Sequence, residues 1–565
     1  MGLVAGRRGP GGLVLAGYTA IAFAYLGAPL LPHPGRYLIG SGRDPQIFVW
    51  AFAWWPHAIL TWQNPFISHV IYAPGGINLA WVTSVPGLAI VFAPITLLFG
   101  PDVSYNLAQM LMPALSAWTA YLLCRHLTRS SWAAIVGGYL YGFSSYMLGA
   151  ELGHLHLSSV FLLPLIALAG VRYLQGEIDG RGAGWRLGVL FGLQFWISTE
   201  VCVSAALVLL LALALAYALV PGSRARLRGM LRPLAGAAGL AAVLCGPLLA
   251  YAVTGFQSGS IFAPSSADGD VINILLPTRL IAAGGSTFAH TSTRFYSDLA
   301  DQGLYLGLPT LAIVAWYALG ARRFPLRRFL LAAFALVILL ALGTGLFVEG
   351  RSRAWLPWRL VSGLPVFDNI LPARLSVYAA LTASVIVALW TAAHRGWVAY
   401  LVPALAVASL VPAFWHDDFR LQPERWAFFT SGQYKGCIPK GDNVAIFPFG
   451  AWGNSTLWQA ETDFWFRIPE GYLTPTPPAA SMKDPTIREI TFTGEDPTVA
   501  QIIAMARDEK VDRIISIAPY AHPNGTQMHR FGALSDYGGV YLAPTCGYPS
   551  MQLGIHPTPP HPASS

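Results

Sequence analysis

Charge is what this chain lacks. Only 11% of its 565 residues are Asp, Glu, Lys or Arg, against about 25% in a soluble domain, while 55% are hydrophobic and the mean hydropathy is +0.51. That deficit excludes an ordinary soluble enzyme and indicates a polytopic α-helical membrane protein. Lysine is nearly missing: Lys435, Lys440, Lys483 and Lys510 are the whole set. The other basic residues are arginines in short loops between apolar runs. A pI of 9.2 therefore reflects the positive-inside rule, and no nucleic-acid partner is implied. Cysteine is scarce as well. Cys124, Cys202 and Cys245 sit in apolar runs as packing residues. Cys437 and Cys546 sit in the tail, where pairing would require an oxidising compartment. No CxxC or Cys/His spacing of a zinc site occurs, and no internal repeat.

What is present in quantity is apolar runs. A span needs about 20 apolar residues, and runs fall at about 12–32, 104–124, 131–149, 157–174, 187–199, 202–220, 233–255, 303–320, 328–347, 375–393 and 397–414. No convincing cleavage site follows the first run, so it reads as an uncleaved helix. With Arg7 and Arg8 inside, the loops Arg125–Arg129, Arg172–Arg186, Arg224–Arg232, Arg322–Arg328 and His394-Arg395 are all cytoplasmic, and each is basic. About eleven spans then leave the C-terminal tail outside. A further span at Val85–Gly100 would invert every later loop, so that run is expected to be surface-lying or re-entrant. Residues 1–414 hold twelve acids, and only Glu177 and Asp179 fall on the inner side. Acids gathered at one face point to a polar cavity there.

Three outer loops are long, 33–103, 256–302 and 348–374. From Trp415 the composition changes, to 15 Asp/Glu and 11 Lys/Arg. Short β-branched runs appear at Asn443–Phe447 and Arg513–Ile517, and Asp496–Lys510 reads as a helix with Pro497 near its first turn. Residues 415–565 are thus expected to form an extracytoplasmic soluble α/β domain behind a transmembrane domain, 1–414. The Pro-rich end, Pro557–Ser565, is expected to be disordered.

The candidate chemistry begins at Asp44, between the first span and the aromatic run Ile47–Trp55. That run is too short to cross a bilayer and is expected to lie in the interface, where Trp is favoured. Asp44 suits a general base or an acid that orients an acceptor; its plainer use is to start a helix with Pro45 at the first position. Glu151, His154 and His156 close the third span, a group suited to metal, pyrophosphate or a phosphate oxygen, or simply to a polar turn. Glu200 lies between two spans with almost no loop and needs a partner or water. Asp298, Asp301 and Gln302 precede the eighth span and suit sugar hydroxyls, with helix capping as the alternative use of Asp301. Asp368-Asn369 leads to Leu371-Pro372-Ala373-Arg374, and Arg351, Arg353, Arg359 and Arg374 form an outer basic group suited to phosphate or to snorkelling towards headgroups. Phe447–Gly453 and Trp458-Gln459-Ala460 read as core more readily than as a carbohydrate surface.

The acid after the first span, the long first outer loop and the many spans resemble the GT-C superfamily of membrane glycosyltransferases. The Pro372-Ala373-Arg374 stretch also resembles a Pro-x-Arg signature of bacterial YfhO-like and related uncharacterised GT-C-like proteins. The resemblance covers residues 10–415 as architecture, and Asp44 and Arg374 by motif. It implies an inverting transfer of a sugar from a lipid-linked, polyprenyl-phosphate donor to an extracytoplasmic glycan, lipid or protein acceptor, in a bacterial cytoplasmic membrane. Asp44 would be catalytic. Arg374 with Glu151, His154 and His156 would hold the phosphate, and Glu200, Asp298, Asp301 and Gln302 would complete the substrate site. Relatives often carry two adjacent acids where this chain has Asp44-Pro45, which leaves open whether Mg²⁺ or Mn²⁺, on Asp44, Glu151 or His154, takes part. The other readings are a flippase or transporter of lipid-linked glycans, and a non-catalytic scaffold with a glycan-binding tail. A flippase should show paired or broken helices at the midplane and polar residues at the inner face, whereas this chain concentrates its acids on the other face.

Overall fold

The computed structural model describes residues 11–32, 35–254, 267–320, 324–364, 367, 370–494, 497–517, 540–542, 551–553 and 555–557. Arg7, Arg8, Asp368, Asn369 and Cys546 lie outside them, as does part of the loop 256–302. The chain divides into two compact units. One comprises Met1–Gly42, Asn106–Gly246 and Phe262–Leu421; the other comprises Arg43–Tyr105, Pro247–Ile261 and Gln422–Ser565. The first long loop thus belongs to the same unit as the tail.

Six helices among the described residues are long and apolar enough to cross a membrane: Gly11–Leu30, Pro101–Thr128, Leu155–Gln175, Thr199–Leu219, Pro325–Leu342 and Pro372–Ala393. A seventh is the pair Pro221–Gly229 and Leu231–Leu244, bent by 47°. The chain is a multi-pass membrane protein, with fewer such helices than the eleven expected. The run at 187–199 lies in the 18-residue helix Gly180–Ile197, which carries Arg181 and Arg186, and the other remaining runs are helical but short or broken. Ser131–Gly142 stops at Phe143, and Ser144 caps a second helix, Ser145–Ala150, by accepting from the Met147 amide. Leu308–Leu319 and Val398–Ala408 have 12 and 11 residues, about 18 Å of helix against an apolar core of about 30 Å.

Within the first unit, Gly180–Ile197 packs on Leu231–Leu244 through glycines four residues apart. A Cβ at Gly188 would lie 2.9 Å from the Leu240 Cβ, one at Gly192 2.9 Å from Leu244 Cδ1, and one at Gly184 3.0 Å from the Pro233 carbonyl. Small residues at this spacing let helix backbones approach where lipid supplies no hydrophobic drive.

The second unit is built on Pro45–Leu60. Its aromatic run is covered by protein: Trp50, Trp54 and Trp55 are each no more than 1% exposed. Trp50 Nε1 donates to Gln459 Oε1 at 2.8 Å, and its ring stacks on Trp54 with Phe464 edge-on to both. The tail supplies the cover that the local sequence lacks. Val85–Gly100 forms two short helices, Pro86–Val91 and Ala93–Phe99, neither long enough to span, with Val91, Leu97, Leu98 and Phe99 exposed.

In the tail, Val444–Phe447 pairs in parallel with Arg513–Ile517, and Met551–Leu553 adds an antiparallel third strand. The helices Pro485–Thr493 and Val499–Asp508 lie between the parallel strands in sequence. Thr498 and Gln501 form a capping box on the second helix, which fixes its start after Pro497. Pro557, placed in the end expected to be disordered, closes a strand opposite Val540.

Candidate active site

Asp44 occupies the N-cap position of Pro45–Leu60, yet its side chain makes no capping hydrogen bond. Its backbone is already helical, at φ −60° and ψ −32°, whereas a capping residue normally sits in the extended region. The carboxylate instead accepts from the Tyr472 hydroxyl, Tyr472 Oη to Asp44 Oδ1 at 2.8 Å. The adjacent Arg43 guanidinium lies 5.2 Å from the Trp452 ring centroid, a cation–π arrangement. Beside these residues is a narrow cleft lined by Tyr72, Trp452, Glu470, Tyr472, Pro475 and Pro477. Burial pushes the Tyr472 hydroxyl up, and the neighbouring Asp44 charge adds to this, so the phenol stays protonated as a donor. Glu470 is buried and accepts the Ile446 amide at 2.9 Å; burial raises its carboxyl well above the ordinary range.

In the other unit, Glu200, Asp301 and Arg374 come together. Arg374 Nη1 donates to Glu200 Oε2 at 2.8 Å and Nε donates to Asp301 Oδ1 at 2.9 Å. All three side chains are less than 20% exposed. Pro372 opens the single turn that delivers Arg374, and Ser198 caps the helix whose first turn carries Glu200. Asp301 does not cap the next span, because that helix starts at Leu308. Two carboxylates on one guanidinium make the group formally anionic. The structure thus engages Arg374, Glu200 and Asp301 with one another. Of the outer basic group, Arg351, Arg353 and Arg359 are exposed, while the Arg374 side chain is 11% exposed.

Four residues on from Glu200 and from Arg374, Ser204 Oγ and Tyr378 Oη are 2.8 Å apart. This second rung, one helical turn away, ties the same two helices. An apolar groove of about 410 Å³ starts there, lined by Leu163, Ile166, Leu209, Val337, Tyr378 and Leu381 among others.

Gln302 directly follows Asp301, and the helix Ser145–Ala150, which Glu151 ends, packs on the turn Leu299–Asp301. Gln302 Nε2 donates to the Ser297 carbonyl at 2.6 Å, which fixes the turn, and Asp298 is exposed. Glu151 is fully buried beside Gln109, whose amide donates to the Ala150 carbonyl at 3.2 Å. The His154 and His156 rings are 6.2 Å apart. Among the described residues no three His, Cys, Asp or Glu side chains converge as a metal site.

A family model described as a domain of unknown function, DUF6311, matches residues 14–414. The chain belongs to the DUF6311 family. No curated protein matches it. Solved structures similar to this DUF6311 protein include the oligosaccharyltransferase AglB of Archaeoglobus fulgidus, in complex with an inhibitory peptide and a dolichol-phosphate. The identity is 13% and the TM-score 0.53, over 90% of this chain and 69% of that one. The arabinofuranosyltransferase AftD from Mycobacteria matches at 13% identity and TM-score 0.57, over 98% of this chain but only 40% of its own. ArnT from Cupriavidus metallidurans, bound to undecaprenyl phosphate, matches at 10% identity and TM-score 0.51, over 97% of this chain and 98% of that one. These are GT-C glycosyltransferases, and the DUF6311 protein has their fold.

Reading along the sequence missed Tyr472, Glu470 and the mutual pairing of Glu200, Asp301 and Arg374. Tyr472 carried no signal, being one aromatic among many. Glu200 carried half of one: an acid against hydrocarbon needed a partner, but not a named one.

Proposed function

We propose that this DUF6311 protein transfers a sugar from a polyprenyl-phosphate donor to a hydroxyl-bearing acceptor, with Asp44 as the acid that orients and deprotonates the acceptor. The observation that carries this reading is the Asp44 carboxylate. It starts a helix without capping it, and a tyrosine 428 residues away holds one of its oxygens. A carboxylate so fixed is preorganised for proton transfer. In the step, the acceptor oxygen attacks the anomeric carbon, and its proton passes to Asp44. The bond from that carbon to the phosphate oxygen breaks, and the electron pair leaves with the lipid phosphate. A single displacement of this kind inverts the anomeric centre. Within the first unit, the apolar groove of about 410 Å³ offers a prenyl chain an apolar bed. In this reading Arg374 is a positioning residue that ties the two helices at the groove's end.

The experiment is sugar release from a panel of radiolabelled polyprenyl-phosphate sugars by the purified full chain. Asp44→Asn should lower turnover by roughly 100-fold or more with unfolding temperature and donor binding unchanged. Tyr472→Phe should lower kcat by roughly tenfold and leave KM for the donor nearly unchanged. Full turnover in Asp44→Asn removes the assignment. Donor binding with no release under any acceptor favours a flippase.

A further inference from the structure

Between the span helices Pro325–Leu342 and Pro372–Ala393 the chain makes a β-hairpin. Its first strand, Gly345–Val348, pairs antiparallel with Arg351–Trp355. Glu349 and Gly350, at φ 48° and 74°, form the left-handed two-residue turn that matches strand twist. The first strand is held firmly. Asp268 Oδ2 accepts the Thr344 amide at 3.0 Å and also its hydroxyl. Asp270 Oδ2 accepts the Gly350 amide at 2.7 Å, and Tyr296 stacks on Phe347 with centroids 3.8 Å apart. The second strand is different: all five of its residues are exposed. The register slips between Leu346 and Phe347, which leaves Arg353 on a bulge, a device that re-aims a side chain. Arg351, Arg353 and Arg359 are exposed, together with Trp355 at 64%, Leu360 at 75% and Leu364 at 50%. The acid of this stretch, Glu349, is engaged by Arg294.

We propose that this hairpin docks on the bilayer surface, with Arg351, Arg353 and Arg359 receiving the phosphates of anionic phospholipid headgroups and Trp355, Leu360 and Leu364 entering the interface. Chain length fixes the location. Trp355 pairs with Gly345, three residues past the end of the span helix at Leu342, hence within about 15 Å of it. Trp is the side chain that favours that depth. The arginines follow outward along the strand, where guanidinium forks meet phosphate oxygens. Three basic groups around exposed apolar side chains are complementary to an anionic membrane surface, whereas in water the same apolar patch would stay uncovered. The strand is pre-ordered by its pinned partner, so docking costs little ordering entropy.

The test places an environment-sensitive dye on Ser352→Cys in the full chain, with the unsubstituted protein labelled in parallel, since Cys124, Cys202 and Cys245 are buried. The protein is set in nanodiscs of phosphatidylcholine, or of equal parts phosphatidylcholine and phosphatidylglycerol. Phosphatidylglycerol should shield the dye from acrylamide and expose it to a lipid-borne quencher. The double variant Arg351→Gln/Arg353→Gln should lower the ratio of shielded to exposed dye by roughly tenfold or more, and Arg351→Lys/Arg353→Lys should keep most of it. Equal acrylamide access in both bilayers overturns the proposal, as does equal shielding in both. Shielding by a soluble acidic polysaccharide but not by phosphatidylglycerol overturns it in favour of a glycan partner.

Discussion

Two carboxylates share one arginine in each unit of the chain, and one of these groups has a pH signature that can be read. In the second unit Arg425 bonds Asp102 at 2.5 Å and Glu461 at 2.7 Å. Burial first, then the Asp102 charge, pushes the Glu461 carboxyl from 4.5 up to about 7. The folded state therefore holds a proton that the unfolded chain releases near 4.5. Between those two values the native state binds more protons, so stability falls as pH rises and is lowest above about 7. Thermal unfolding followed from pH 5 to pH 8 (roughly the span of that shift) should show a falling midpoint in the native chain. Glu461→Gln keeps a neutral partner at that position and should flatten the curve. A midpoint that falls equally in both proteins would place the titrating group elsewhere. Asp44 belongs to the same scale. Its place after an apolar run was legible, but its acceptance of a tyrosine hydroxyl was not, because nothing near Asp44 in the chain encodes Tyr472.

At the scale of elements, two helices take their places from what packs against them. Pro45–Leu60 looks like an interfacial helix by its tryptophans and is a core helix by its burial, because Ser455–Glu461 and Phe464 close over it. Gly180–Ile197 holds Arg181 and Arg186 and is less apolar than the spans beside it, yet it makes an intimate helix contact in its unit. The spacing Gly184, Gly188 and Gly192 is the reason, and it stood in the sequence in plain view. Gly188→Leu forces a side chain into Leu240 and the Ala237 carbonyl, at 2.9 and 3.0 Å from the first added atom. A loss of about 1–3 kcal/mol is expected, read as a lower unfolding midpoint in detergent. Gly239→Leu, whose Cβ meets nothing within 4 Å, is the matched control and should change little.

For the molecule as a whole, the placement of the first long loop with the tail has a direct consequence. The core of that unit draws Phe48, Trp50 and Trp54 from the loop and Trp458, Phe464 and Phe466 from the tail. A chain ending at Leu421 leaves the loop's aromatic side chains without cover, an apolar patch of the kind that drives aggregation. Such a truncation should yield aggregated or rapidly proteolysed protein, measured by size exclusion and limited chymotrypsin digestion. Recovery of a monodisperse truncated protein that resists chymotrypsin between residues 43 and 105 would show that the loop folds without its partner segment.

Composition alone determined that the protein lives in a membrane. Local pattern determined where apolar helices run, which β-branched segments become strands and where an acid stands after the first apolar helix. Those features depend on residues a few positions apart, and periodicity and capping report them. The tertiary structure decided what each acid and each aromatic touches. Asp44 meets Tyr472 across 428 residues, while Arg374 meets Glu200 across 174 and Asp301 across 73. A charge near hydrocarbon announces that it needs a partner, because solitary burial is costly. Only the packing of distant segments chooses which partner it finds.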